Sequence, residues 1–179
     1  PIQASADAVA RVVTAPKQYP QFMPMLDSVE IVGQHDTSVV YDWAYRVALL
    51  KMRGRNLMTV YPRSDNKPDT PIRITVDSQE GDLGRGRYLY RIHPRDAGCV
   101  LVLSLRLDLR EANYVARQLA KAARSVNRSA NIGLALSMVL HTKHAAEQRD
   151  KPAAIDIDKA QAAPDGDAAK QTPGPVPAL

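Results

Sequence analysis

The sequence predicts an α+β domain in which a curved antiparallel β-sheet wraps around a long C-terminal α-helix, with a hydrophobic cavity between the two. Three observations carry this reading. From about Arg110 to Arg149 the chain has no proline and a single glycine, Gly133, so nothing interrupts a long helix there. Ahead of it, runs of period-two hydrophobicity are joined by polar turns too short for crossover helices, which makes neighbouring strands antiparallel. The helix stripe that must meet this sheet is built mostly of small side chains, which leaves volume unfilled.

With 179 residues, 45% of them hydrophobic, the chain has apolar material for one core. The expected organisation is one domain over residues 1–149 and a disordered low-complexity tail over 150–179. Residue 1 is Pro, not Met, so the natural start is taken as removed, and the compartment stays open, cytoplasmic or exported. No stretch approaches the roughly 18 consecutive apolar residues of a membrane-spanning helix. Cys99 is the only cysteine, which excludes an internal disulfide, and no Cys or His spacing reads as a metal site. Neither a metal nor a cofactor is expected. The net charge is +5, and the last 29 residues carry three Lys against four Asp, which leaves about +6 on the folded part. The arginines are spread over strands and helix without a dense run; they read as a solvated basic surface and not as a nucleic-acid site.

Taken in order, Ala4-Ser5-Ala6-Asp7 with Val9, Val12 and Val13 predicts a short helix, with Ser5 as N-cap, Asp7 in the first turn and Pro16 as the stop. A first strand of the sheet is expected largely before residue 1, with only its last residues present. Tyr19-Pro20-Gln21-Phe22-Met23-Pro24-Met25 is a helical turn bracketed by prolines that gathers large apolar side chains. As packing, it is a plug that anchors the first helix to the sheet. As a functional segment it is a cavity mouth made of Tyr19, Phe22, Met23 and Met25, whose soft side chains suit a lipid tail or a membrane surface.

Strand periodicity begins at Ser28, with Val29 and Ile31 on one face, and Gln34-His35-Asp36-Thr37 makes a turn. Val39, Tyr41, Trp43, Tyr45 and Val47 share the inward face of the next strand. A third strand runs from about Arg53 to Tyr61, and after a polar loop Ile72, Ile74 and Val76 alternate with polar residues. Gly81-Asp82-Leu83-Gly84-Arg85-Gly86 is glycine-rich, yet Arg87 to His93 continues it as a strand and no helix opens from it. It therefore reads as a bend or bulge and not as a phosphate cradle. The last strand, Cys99 to about Leu107, aligns Leu101, Leu103, Leu105 and Leu107 on one face.

Asp108 with Glu111 three residues later is a capping-box-like pair that marks the start of the long helix. Val115, Leu119, Ala122, Val126, Ala130 and Gly133 then recur at helical spacing. From Ile132 to Leu140 the helix is apolar on nearly all sides, which calls for burial under the amino-terminal loop or against a partner.

The order of elements and several local motifs resemble the START-like, Bet v 1-like (SRPBCC) superfamily, nearest its bacterial polyketide cyclase and coenzyme Q-binding protein branch. The motifs are Ala4-Ser5-Ala6-Asp7, the Tyr19-Pro20-Gln21-Phe22-Met23-Pro24 turn followed by Val29-Glu30-Ile31, the Gly81 to Gly86 stretch before an aromatic strand, and the final helix. The resemblance runs from about Ile2 to Arg149 and implies the helix-grip fold, with a cavity for lipids, quinones, sterols or polyketides. It does not imply catalysis, since the superfamily mixes carriers, sensors and enzymes.

The leading functional expectation is binding or carriage of a hydrophobic small molecule. Its candidate lining is Tyr41, Trp43, Tyr45, Met58, Tyr88 and Tyr90 from the aromatic strands, with Leu103, Leu105 and Val126 opposite. Asn127 and Asn131 either orient a polar head group or face solvent, and Arg46 and Arg106 serve an anionic head only if their strand faces are reversed. The alternatives are a polyketide cyclase or aromatase, or a module for membrane surfaces or proteins. His93 and His141 are the imidazoles available for proton transfer, and neither is expected near the cavity centre. No catalytic residue is assigned, and the oligomeric state stays open.

Overall fold

The computed structural model describes residues 1–47, 50–61, 63, 70–114, 117–118, 121 and 124–150. After helix α1 (Ala6–Val13) and a 3-10 turn (Pro16–Gln21), six strands follow: β1 (Leu26–His35), β2 (Ser38–Val47), β3 (Leu50–Tyr61), β4 (Ile72–Gly81), β5 (Arg85–Arg95) and β6 (Gly98–Asp108). They pair in chain order as one antiparallel meander, and helix α2 (Arg124–Arg149) crosses its concave face against β6. The expected tail lies, from residue 151 onward, outside the described residues. So do Val115, Leu119 and Ala122 of the predicted helix stripe.

Alternation decides the sheet. Tyr41, Trp43, Met58, Ile74, Val76, Tyr88, Tyr90 and Ile92 are buried in one core with Val9, Val12 and Val13 of α1. The outer face carries exposed pairs such as Arg46 with Asp27, Arg55 with Asp42 and Arg87 with Asp77. Pairs this exposed add little to stability. Arg46 and Arg106 therefore point away from the cavity side, and neither meets a head group there.

Ser5 caps α1 as predicted, its hydroxyl accepting from the Ala8 N–H at 3.1 Å. Ahead of α1, Ile2 makes an isolated antiparallel bridge to Cys99. Ile2 and Cys99 exchange two backbone hydrogen bonds, of 2.8 and 3.0 Å, on the open edge of β6. At the other end of that edge the Asn131 side chain plays the same part. Its Oδ1 accepts from the Leu107 N–H at 2.7 Å and its Nδ2 donates to the Leu107 carbonyl at 3.0 Å. An edge strand's unpaired backbone is thereby satisfied at both ends. Asn131 neither faces solvent nor reaches a head group; it clamps α2 to the sheet.

The glycine-rich stretch is a turn between β4 and β5. Gly84 has φ +77°, and a Cβ there would lie 2.4 Å from the Asp108 carbonyl oxygen, so the backbones of two segments meet at this point. The predicted start of the long helix needs correction. Asp108 caps a three-residue 3-10 turn (Leu109–Glu111), accepting from the Arg110 N–H at 3.0 Å, and Ala112 then returns to extended backbone. Helical geometry resumes at Tyr114.

Candidate functional site: a two-part cavity under the long helix

Helix α2 touches the rest of the domain firmly at two places. Near its C-terminal end Ala145 and Ala146 are buried against the core that includes α1, and one side chain, Asn131, holds the other end to β6. Between these attachments Leu134 and Met138 reach the core, and the small side chains beside them leave space under the helix. The stripe facing inward there, Ala130, Gly133, Leu134, Ser137, Met138 and His141, repeats at helical spacing and begins with the two smallest side chains. A Cβ at Gly133 would meet no atom within 4 Å, so the glycine does not mark a close approach of helix to sheet; it borders open space.

That space is a half-open chamber of about 430 Å³, with the solvent-exposed Gly133 on its rim. Its remaining walls are Met23, Pro24 and Met25 from the proline-bracketed turn, Tyr45 and Met52 from β2 and β3, Leu83 from the β4–β5 turn, and Leu107 and Leu109 after β6. Apart from the phenol of Tyr45, its polar side chains are Ser137 and His141. The His141 Nδ1 lies 2.7 Å from the Ser137 carbonyl oxygen. A carbonyl only accepts, so Nδ1 carries the hydrogen, and in the neutral ring Nε2 is left as an acceptor. Contrary to expectation, this late helical histidine is in the cavity wall. His93 sits half-buried on β5, paired with Val100, and is not.

A second, deeper pocket of about 40 Å³ shares Met23, Tyr45, Leu83, Leu134 and Met138 with the chamber and continues it toward the sheet. Tyr19, Tyr41, Trp43, Asn56 and Tyr88 close it. Burial raises the phenol pKa of Tyr19, Tyr41, Tyr45, Tyr88 and Tyr90, so these hydroxyls stay neutral through the physiological range. Tyr19 donates its hydroxyl to the Val13 carbonyl, and Tyr41 accepts from Asn56 Nδ2 at 3.2 Å.

The candidate residues thus separate. Tyr41, Trp43 and Tyr88 wall the deep pocket, and Tyr45 borders both parts. Met58 and Tyr90 are buried in the core beside them, where the Tyr90 hydroxyl lies 3.9 Å from Met138 Sδ, and Leu103 and Leu105 pack against that core from β6. The Val126 side chain lies outside the described residues. Of the proposed mouth, Met23 and Met25 are in the chamber wall, Met25 being half-exposed at the rim. Tyr19 is instead buried at the floor, with Phe22 packed edge-on to it at 5.8 Å, so these two form the plug. Met52, Leu83, Asn56, Leu134 and Met138 were not anticipated. Leu134 and Met138 follow from Ala130 by steps of four and were legible as one stripe.

Ile132, Leu136 and Leu140 are each more than half exposed on the outer side of α2. Neither the amino-terminal turn nor the sheet covers them. Among the described residues no helix is long and apolar enough to cross a membrane, and no three His, Cys, Asp or Glu side chains come together as a metal-binding set.

The family described as polyketide cyclase / dehydrase and lipid transport matches residues 1–135. Among solved structures, a protein of Thermus thermophilus superposes with a TM-score of 0.64 at 17% identity, covering 84% of this chain and 94% of that one. The Zhui aromatase/cyclase of Streptomyces sp. R1128 gives 0.61 at 18% identity over 86% and 93%. A STAR-related lipid transfer protein fragment from Xanthomonas axonopodis gives 0.59 at 15% over 83% and 80%. At such identities the likeness is one of fold. No curated protein sequence matches the chain.

Proposed function

Because the chain belongs to the polyketide cyclase / dehydrase and lipid transport family, we propose that it binds and carries a hydrophobic small molecule in the chamber between the sheet and α2. The observation that carries this reading is the chamber itself: about 430 Å³ walled by methionine, leucine and small side chains. Its volume falls within the roughly 300–1,000 Å³ of small-molecule sites. Methionines at the rim and in the wall adapt to different chain shapes, which suits a lipid, quinone or polyketide-like body. The half-exposed Met25 and the exposed Ile132, Leu136 and Leu140 support loading at a membrane surface.

The direct test is native mass spectrometry of protein purified from its own host, followed by organic extraction. A co-purifying apolar molecule is expected. Its absence, together with failure of apolar fluorophores to bind the purified protein, would overturn the reading.

A cyclase or aromatase-type reaction on a polyketide-like substrate is the second reading, favoured by one observation. His141 offers an Nε2 acceptor in the chamber wall, and its other nitrogen is held by the Ser137 carbonyl. Under that reading His141→Phe abolishes turnover while ligand binding persists.

A further inference from the structure

The floor of the cavity holds an unsolved polar problem. Two buried side-chain atoms of the described residues have no hydrogen-bond partner: the indole Nε1 of Trp43 and the Oδ1 of Asn56. One is a donor and the other an acceptor, and both residues wall the deep pocket. Orphaned buried polar atoms are rare in folded proteins, and each calls for a completing group.

The register of the sheet brings the two together. Across β2 and β3, Trp43 pairs with Gly54 and Tyr41 with Asn56, so the four positions form one block on the concave face. Gly54 makes the room. A Cβ there would lie 2.4 Å from Trp43 Cζ2 and 2.7 Å from Cε2, the carbon that bears Nε1, so the indole lies across the glycine. Asn56 is held by its other end, Nδ2 donating to the Tyr41 hydroxyl, which leaves Oδ1 as the free atom.

Size and charge narrow what completes them. A pocket of about 40 Å³ admits one small group and not a ring or chain. None of the residues that wall it is basic, and its phenols are neutral, so a carboxylate entering it would stay uncompensated. A ketone oxygen accepts from the indole but leaves Asn56 Oδ1 orphaned. A hydroxyl both accepts and donates.

We infer that the carried molecule ends in a single hydroxyl, alcohol or phenol, seated between Trp43 Nε1 and Asn56 Oδ1, with its apolar body in the larger chamber. This rests on the carrier reading and specifies the head group of the ligand.

Trp43 is the only tryptophan, so its indole N–H gives one assignable NMR resonance. The probes are n-decanol, n-decane, decanoate and methyl octyl ketone, titrated into the full chain. Decanol is expected to shift the indole resonance downfield, as a new hydrogen bond does, and to bind roughly tenfold tighter than decane, the scale of one unsatisfied buried polar group. The ketone ranks between them, and decanoate binds less tightly than decanol. Asn56→Leu, of similar size, is expected to cancel most of the advantage of decanol over the ketone, and Trp43→Phe to reduce its advantage over decane to the part that Asn56 supplies. Should the aromatic variant fail to fold, the wild-type resonance and the Asn56 variant decide the matter. Equal binding of decanol and decane with an unmoved indole resonance overturns the inference and leaves carriage standing. Tightest binding by decanoate overturns it as well. Binding by none of the probes removes the carrier reading itself.

Discussion

Replacing Gly133 by leucine separates the cavity from the fold more sharply than any other single change. The position is helical, lies in the chamber wall, and an added Cβ there has no atom within 4 Å, so the new side chain starts into open space. Removing a glycine from a helix interior stabilises by about 0.5–1 kcal/mol. In a domain of this size that raises Tm by roughly 1–4 °C. Binding moves the other way. Leucine puts about four carbons where ligand carbons would sit, and at about 0.8 kcal/mol per buried methylene the loss is about 3 kcal/mol, roughly a hundredfold in Kd. Thermal unfolding and titration with an apolar fluorophore measure the two effects on one preparation. A Tm that falls while affinity holds would refute the reasoning, because it means that Gly133 is packed against the sheet and borders no ligand space.

Two further outcomes follow from the clamps around the chamber. Asn131→Ala leaves the Leu107 N–H and carbonyl without their side-chain partner beside a buried residue, and is expected to cost about 1–3 kcal/mol in urea unfolding. A midpoint unchanged within error would mean that water replaces the amide and that the clamp is dispensable. Arg110, through its guanidinium and its backbone N–H, lowers the Asp108 carboxyl from 3.8 to about 2. A depressed carboxylate stabilises the fold fully above its unfolded value. Stability is therefore lost as pH falls from about 4 through about 2, and the effect is small because the Arg110 end of the pair is exposed and screened by solvent. Asp108→Asn should remove that part of the acid limb in denaturant titrations; an identical limb would refute the assignment.

How far the sequence spoke depends on whether a signal was local. Alternation alone set the faces of β2, β4, β5 and β6, because a residue two positions on must return to the same side of a strand. The bend at Gly81 to Gly86 was equally legible, since a positive φ at Gly84 is a property of the residue type. The start of the helix was not. Asp108 and Glu111 have capping-box spacing, but the Asp108 carboxylate is also engaged by the Arg110 guanidinium, and the result is a short 3-10 turn followed by extended Ala112. The height of α2 above the sheet was also hidden. It depends on Ala145 and Ala146 seating one end and Asn131 holding the other, and both contacts are tertiary. His141 and Met52 meet in the chamber wall only once the helix is laid over the sheet. Asn56 escaped notice because a polar residue on an inward face reads as an error until its partner Tyr41 is seen beside it.

On the carrier reading proposed above, the two parts of the cavity divide the work of recognition between them. Affinity comes from the apolar chamber, in proportion to the surface a ligand removes from water, and is indifferent to which end of the ligand is polar. Discrimination comes from the floor, where an unmatched ligand leaves a donor and an acceptor buried and unsatisfied. A molecule that enters head first therefore has its hydroxyl read by Trp43 and Asn56, while its far end lies toward Met25 and Gly133, where extra length meets open space. Head-group chemistry is thus selected strictly and chain length loosely. Gly133→Leu should weaken all ligands by a similar factor, and Asn56→Leu should reorder them with little change in the binding of an alkane. If both variants did the same thing to every ligand, the floor would be one more stretch of apolar wall, and the division between affinity and selectivity would not hold.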